Sequence, residues 1–411
     1  MRGITPFIFG ANCLIAAGAV ASSLHAKTDD ASGWNPHPVK LTRPAAEPLS
    51  AMAQLGRLIF FDPSLSSSGQ LSCASCQSPQ HAYGPPNDLA AMMGGPKRER
   101  QGVRAVPSLR YLARQPAFSI GPDNEEAENV NLIQRVALSR KTVCAQKTAA
   151  RPNQSANNLV PQGGLFWDGR ADTLQDQALV PLLNPLEMDG GNVEAVAAKL
   201  RRAPYAKRLT ELFGASVFDE PYHAVMEALF AVGRFQIEDA SFHPYSSKFD
   251  YWLEGKVRFT SREMRGYRLF NDPQKANCAG CHVDQVGRDR LPPLFTDHRY
   301  EALGVPRNPK LAANRDPAYF DLGLCGPHRT DMARQTQYCG MFATPTLRNV
   351  ATRRVFFHNG LYHSLQDVLD FYTFRDTEPE KIYPRAADGT VSKFDDLPPR
   401  YRGNIDTLDA P

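Results

Sequence analysis

Five residues constrain this chain more than any other stretch: Cys278-Ala279-Gly280-Cys281-His282. C-x-x-C-H is the attachment sequence of a c-type haem. Two thiols at this spacing reach the two vinyl groups of one porphyrin. The histidine that follows is carried beneath the ring as an axial iron ligand. Small Ala279 and Gly280 let the backbone approach the macrocycle. Upstream, Ser261 to Phe270 has helix-start chemistry and apolar residues at helical intervals, which predicts a helix leading into the haem loop. A thioredoxin-like dithiol would sit in a βαβ context that is missing here. A four-cysteine zinc site would need its second pair far closer than the next C-x-x-C, about two hundred residues away.

That other pair, Cys73-Ala74-Ser75-Cys76, is followed by Gln77 rather than histidine. A neutral amide is a poorer partner for haem iron than imidazole. Thioether attachment can survive the change, but the iron would lack its usual proximal ligand. His81, or Met92 and Met93 in a glycine-containing loop, are candidates to substitute; each is also an ordinary packing residue.

The compartment follows from the first residues. Arg2 precedes a nearly all-apolar or small run from Pro6 to Ala21, and small residues lead to a cut expected after Ala26. The expectation is a signal peptide over 1–26 and export to a bacterial periplasm. A lipoprotein site at Cys13 is rejected, because Gly10-Ala11-Asn12 lacks the large aliphatic residue it needs. In an oxidising compartment Cys325 and Cys339, fourteen positions apart, are expected to form a disulfide, and Cys144 is left as a free thiol. The 411 residues suffice for two or three domains, and no stretch after residue 30 is long and apolar enough to span a bilayer. Basic residues number 47 and acidic residues 43, a net +4 too balanced to argue for a nucleic-acid partner. Thirty-three prolines and 29 glycines predict many loops and short helices.

Taken together with further blocks, the chain resembles the bacterial di-haem cytochrome c peroxidase family, including its MauG-like branch. The blocks are Leu55-Gly56-Arg57-Leu58-Ile59-Phe60-Phe61-Asp62, Gly164 to Arg170, Thr173 to Ala178, Asn184 to Met188, Thr344 to Val350 and Phe356 to Gly360. The resemblance implies a mainly α fold of two cytochrome c-like haem domains, 27–250 and 251–411. It implies a peroxide-reacting N-terminal haem on Cys73 and Cys76, and an electron-transfer haem on Cys278, Cys281 and His282. Glu187 resembles the distal carboxylate that moves a proton between peroxide oxygens. Gln177 resembles its amide partner, Pro181 the residue that keeps that face of the iron open, and Trp167 the indole between the haems. Read from the residues alone, these would be surface, capping and core positions. Tyr372, fourteen residues after His358, stands where the peroxidases proper carry methionine and MauG-like proteins carry tyrosine. It is expected to ligate the second iron opposite His282 and to lower its potential.

Three departures accompany the resemblance. The family's inter-haem Ca²⁺ site corresponds to Tyr111, Arg353 and Val355, where a lost oxygen donor and an added cation disfavour calcium. Ala276 stands where MauG has a tryptophan used to oxidise its protein substrate. Residues 113–160 match poorly; acidic Asp123 to Glu128 and polar, basic Lys147 to Asn158 are read as an exposed insertion. The leading expectation is a periplasmic peroxidase that reduces hydrogen peroxide with electrons from a small cytochrome c or cupredoxin, in a family that often forms dimers. The alternatives are a MauG-like oxidase of a partner protein, and a mono-haem electron carrier or redox sensor.

Overall fold

The computed structural model describes residues 33–122 and 159–406. The expected signal peptide, Cys13, Cys144 and most of the expected insertion lie outside the described residues. The chain is mainly helical, with three two-stranded antiparallel ribbons: Met93–Gly94 with Arg100–Gln101, Ser119–Pro122 with Leu159–Gln162, and Tyr300–Glu301 with Phe342–Ala343. Among the described residues no helix is long and apolar enough to cross a membrane.

The N-terminal half is built around α1 (Ala51–Phe60) and the long helix Pro221–Glu238. Ser50 caps α1 by accepting a hydrogen bond from the Ala53 amide. A Cβ at Gly56 would sit 1.8 Å from the Ala231 carbonyl oxygen, so only glycine lets these two helices cross this closely. Helices Leu174–Leu183 and Val193–Arg202 pack on the same long helix. One continuous apolar core results, including Leu55, Phe60, Leu182, Val196, Phe235 and Phe242. The attachment segment Cys73–Cys76 is a single helical turn packed against this core.

The C-terminal half has only small apolar clusters, around Tyr300 and Leu324 and around Trp252 and Leu253. Buried polar links take over there. Arg348 pairs with Asp250 at 2.7 Å, and fully buried Arg375 bonds the Leu303 carbonyl and Asp376. The expected Cys325–Cys339 disulfide is present, with the Cα atoms 5.0 Å apart. With so little apolar core around it, this cross-link carries weight: replacing both cysteines with alanine is expected to cost ~3 kcal/mol by loop closure, read as a lower urea midpoint. The expected helix before the haem loop is also present, at Ser261–Asn271, and Thr260 with Glu263 forms its capping box.

The two halves repeat each other. Leu165 bridges to Ala171 ahead of helix Leu174–Leu183, and Phe356 bridges to Tyr362 ahead of helix Leu365–Phe374. Phe166 and Phe357 take positive φ angles of 68° and 60°, and Thr173 and Ser364 cap the two helices. A second repeat pairs Pro107-Ser108-Leu109-Arg110 with Pro345-Thr346-Leu347-Arg348. Each run ends on a left-handed residue, Tyr111 or Asn349, that opens a short 3-10 turn. The residue-level reading missed this duplication. It aligns Trp167 with His358 and Pro181 with Tyr372 at one and the same offset.

Candidate functional site

A cavity of about 700 Å³ runs between the halves, lined by His282, Tyr372, His358, Trp167, Gln177 and His81 among others. Cys278 and Cys281 also face it. Both are free thiols, and burial pushes them up, Cys281 to about 12. His282 Nδ1 lies 2.9 Å from the Phe295 carbonyl, and the Pro345 carbonyl faces the same ring. A carbonyl can only accept, so Nδ1 carries the proton and Nε2 keeps its lone pair. Burial holds this imidazole's pKa below its usual value, so it is neutral and able to bind a metal. Tyr372 reaches the same space from helix Leu365–Phe374. Burial, then the nearby Cys281 and Cys278 thiols, raise its phenol. The volume, the two thiols, the oriented imidazole and the phenol together fit one covalently attached haem.

The first attachment turn has both thiols raised to about 12 by burial, and Glu187 adds to the effect on Cys76. The carboxylate is therefore within electrostatic reach of the first pair. Glu187 is itself raised by burial, opposed by Arg170 and by the Asn184 amide, which donates to its Oε1 at 2.9 Å. Gly94 makes this placement possible. A Cβ there would lie 2.2 Å from the Leu186 carbonyl oxygen and 2.5 Å from that of Glu187, so ribbon Met93–Gly94 can lie directly on the Glu187 backbone. Gln177 is buried, and Pro181 follows it at i+4 on the same helical face. The repeat places Pro181 in the position of Tyr372. Where one half carries a phenol oxygen, the other carries a residue with no N–H and no donor atom in its side chain.

Trp167 stands between the halves. Its indole N–H donates to Ala105 at 2.8 Å, and its carbonyl accepts from Ala343 at 2.9 Å. Ala105 in turn bonds the carbonyl of His358, whose ring stacks on Phe342 at 3.5 Å. Next to Trp167, fully buried Asp168 pairs with Arg104 at 2.7 Å and Arg170 at 2.8 Å, and Arg104 grips Asp321. Nothing in the motif reading marked this ion network; its sequence signal is the repeated Trp-Asp-Gly and His-Asn-Gly turn.

The remaining expected positions are spread over the main cavity and its surroundings. Met92 and Met93 line a separate cleft of about 340 Å³ with Leu71 and Ser75. His81 bonds Ser78 Oγ through Nδ1 at 2.9 Å. Gln77 donates from its amide nitrogen to the carbonyls of Tyr83 and, at 3.1 Å, Pro107. Arg353 donates to Val106 and Val355 carbonyls at 2.9 and 3.3 Å, and burial lowers it to about 10. Ala276 lines the main cavity near Cys278.

A carboxyl group missed by the motif reading lies beside Cys281. Burial, together with Asp406, raises Glu301 from 4.5 to about 8. Between those values the unfolded chain releases a proton that the folded chain keeps, so stability falls as pH rises through the window and is full below 4.5. Glu301→Gln is expected to flatten that decline in Tm measured from pH 4.5 to 8.

The sequence profile of the di-haem cytochrome c peroxidase family matches residues 50–258. The chain is 33% identical over 351 residues to the methylamine utilization protein MauG of Paracoccus denitrificans, covering 83% of this chain and 79% of that one. It is 28% identical over 320 residues to the cytochrome c551 peroxidase of Nitrosomonas europaea, covering 78% and 72% respectively. The crystal structure of the diheme peroxidase BthA from Burkholderia thailandensis superposes with a TM-score of 0.73 at 34% identity, covering 91% of this chain and 82% of that one.

Proposed function

Since the chain belongs to the di-haem cytochrome c peroxidase family, an oxidoreductase family, we propose that it is a periplasmic c-type haem peroxidase. It would reduce hydrogen peroxide to two water molecules with two protons and two electrons, delivered singly by a small cytochrome c or cupredoxin. One observation carries the reading: a half-buried carboxyl, Glu187, lies within electrostatic reach of Cys76 with its proton affinity raised and an amide on its oxygen. Cys73 and Cys76 would hold one haem; Cys278, Cys281, His282 and Tyr372 would hold the other. Haem c supplies the iron at which peroxide binds and the redox capacity that the side chains lack.

The protein's own groups do the rest. Glu187, held by Asn184, takes the proton of the inner peroxide oxygen and returns it to the outer one, so that the leaving oxygen departs as water. Gln177 orients the peroxide by hydrogen bonding. Pro181 presents no competing ligand on that face. Trp167, fixed through Ala105, gives an aromatic stepping stone between the halves for the incoming electron. Arg353 supports independence from calcium, since its guanidinium already bonds carbonyls at the expected cation position.

Tyr372 favours a second reading, a MauG-like oxidase of a partner protein, because an oxygen ligand stabilises oxidised iron. Ala276 counts against MauG's own task. The test is the intact mass of the exported, mature protein, followed by steady-state turnover of hydrogen peroxide with reduced cytochrome c. Two haems with turnover support the peroxidase. Two haems, a persistent oxidised spectrum and no turnover of small donors support the oxidase. One haem overturns both and leaves the electron carrier or sensor.

A further inference from the structure

We propose that Gln77 is the proximal residue of the first haem, with its amide oxygen Oε1 as the axial donor. The inference rests on the reading that a haem is attached at Cys73 and Cys76. It starts from the repeat. Gln77 follows Cys76 as His282 follows Cys281. Pro107 in the first half corresponds to Pro345 in the second, each opening the same Pro-x-Leu-Arg turn into a left-handed residue.

Each side chain meets the carbonyl of its own turn. His282 Nδ1 bonds the Phe295 carbonyl, which fixes its proton there and frees Nε2, and the Pro345 carbonyl faces the same ring. The end of the Gln77 amide that faces the carbonyls of Tyr83 and Pro107 meets only acceptors, which assigns it as the nitrogen, donating to both. An amide NH₂ has two hydrogens, and both are spent on these two acceptors. The atom left over is Oε1, a pure acceptor, just as Nε2 is the atom left over on His282. The backbone is held as well: the Gln77 N–H bonds the Cys73 carbonyl, as the His282 N–H bonds that of Cys278. Glutamine therefore keeps the histidine's anchor and exchanges a nitrogen donor for a neutral oxygen donor.

The rival is His81, which lines the main cavity. Its Nδ1 also carries a proton, because the Ser78 hydroxyl gives its own hydrogen to Gln80 Oε1 and so accepts from the ring. Yet His81 is tied to its own turn through Ser78, whereas Gln77 is tied to the carbonyl equivalent to the one that faces His282. A weak oxygen donor would leave the first iron high-spin in the ferric state and without the electron push of an imidazole.

The experiment is ferric EPR and absorption spectroscopy on the exported holoprotein and on Gln77→Ala, Gln77→His and His81→Ala, with covalent haem counted by mass in each. The expected result is a high-spin first-haem signal that Gln77→Ala loses or shifts, that Gln77→His replaces with that of an imidazole-bound haem, and that His81→Ala leaves intact. A first-haem signal that His81→Ala alters and Gln77→Ala does not would overturn the assignment in favour of His81. So would a signal that neither alanine variant moves. Wild-type protein with a single covalent haem would instead remove the underlying reading, a result that mass alone distinguishes.

Discussion

Glu187→Gln is expected to lower kcat/KM for hydrogen peroxide by roughly 10²–10⁴-fold, the usual contribution of a positioned general acid–base group. Covalent haem content and the Soret band should not change. The residue is large in effect because its environment already prepares it. Burial raises its proton affinity above that of an ordinary carboxylate, while Arg170 and Asn184 restrain the shift, so the carboxyl holds a proton more readily than a solvated one does. The amide of the variant keeps the volume and the contact with Asn184 but cannot exchange a proton. Stopped-flow mixing with peroxide checks this directly. An unchanged rate would remove Glu187 from the chemistry and with it the observation on which the peroxidase reading stands.

Tyr372→Met is expected to raise the midpoint potential of the second haem by an amount on the order of a few hundred millivolts, within the roughly 0.8 V that axial ligands span. Thioether sulfur favours ferrous iron, whereas phenolic oxygen favours ferric iron. Burial, and then the nearby Cys281 and Cys278 thiols, raise the pKa of this phenol, so its service as an anionic ligand depends on a neighbouring ferric charge to lower it again. A spectroelectrochemical titration measures the shift, and the variant should also accept electrons more readily from small donors. A potential that stays in place would mean that Tyr372 packs against the haem without binding it.

The C-x-x-C-H run, the disulfide pair and the helix before the haem loop were all legible because their chemistry is local. Spacing along the chain places two thiols and an imidazole on one porphyrin, and fourteen residues suffice to close a cystine loop. The roles proposed for Glu187, Gln177, Pro181 and Trp167 come only from resemblance; nothing in their own neighbourhoods along the chain distinguishes them from capping and core residues. The ion network of Arg104, Asp168 and Asp321 was not legible, since its members come from segments more than sixty and two hundred residues apart. The internal repeat was present in the sequence but divided between turns whose side chains differ, so its geometry shows more clearly than its letters.

By itself, then, the sequence determined which groups are available for covalent chemistry: two pairs of thiols, one imidazole, and a glutamine where a second imidazole would be expected. Only the tertiary structure decided which partners that glutamine meets. Hydrogen-bond partners are set by the distant turn that brings the Pro107 carbonyl to Gln77, and by the equivalent turn that brings the Pro345 carbonyl to face His282. The same holds for Glu187, whose proton affinity is a property of burial and not of the residue. Linear order fixes which atoms are available, but desolvation and orientation arise when remote segments exclude water from them.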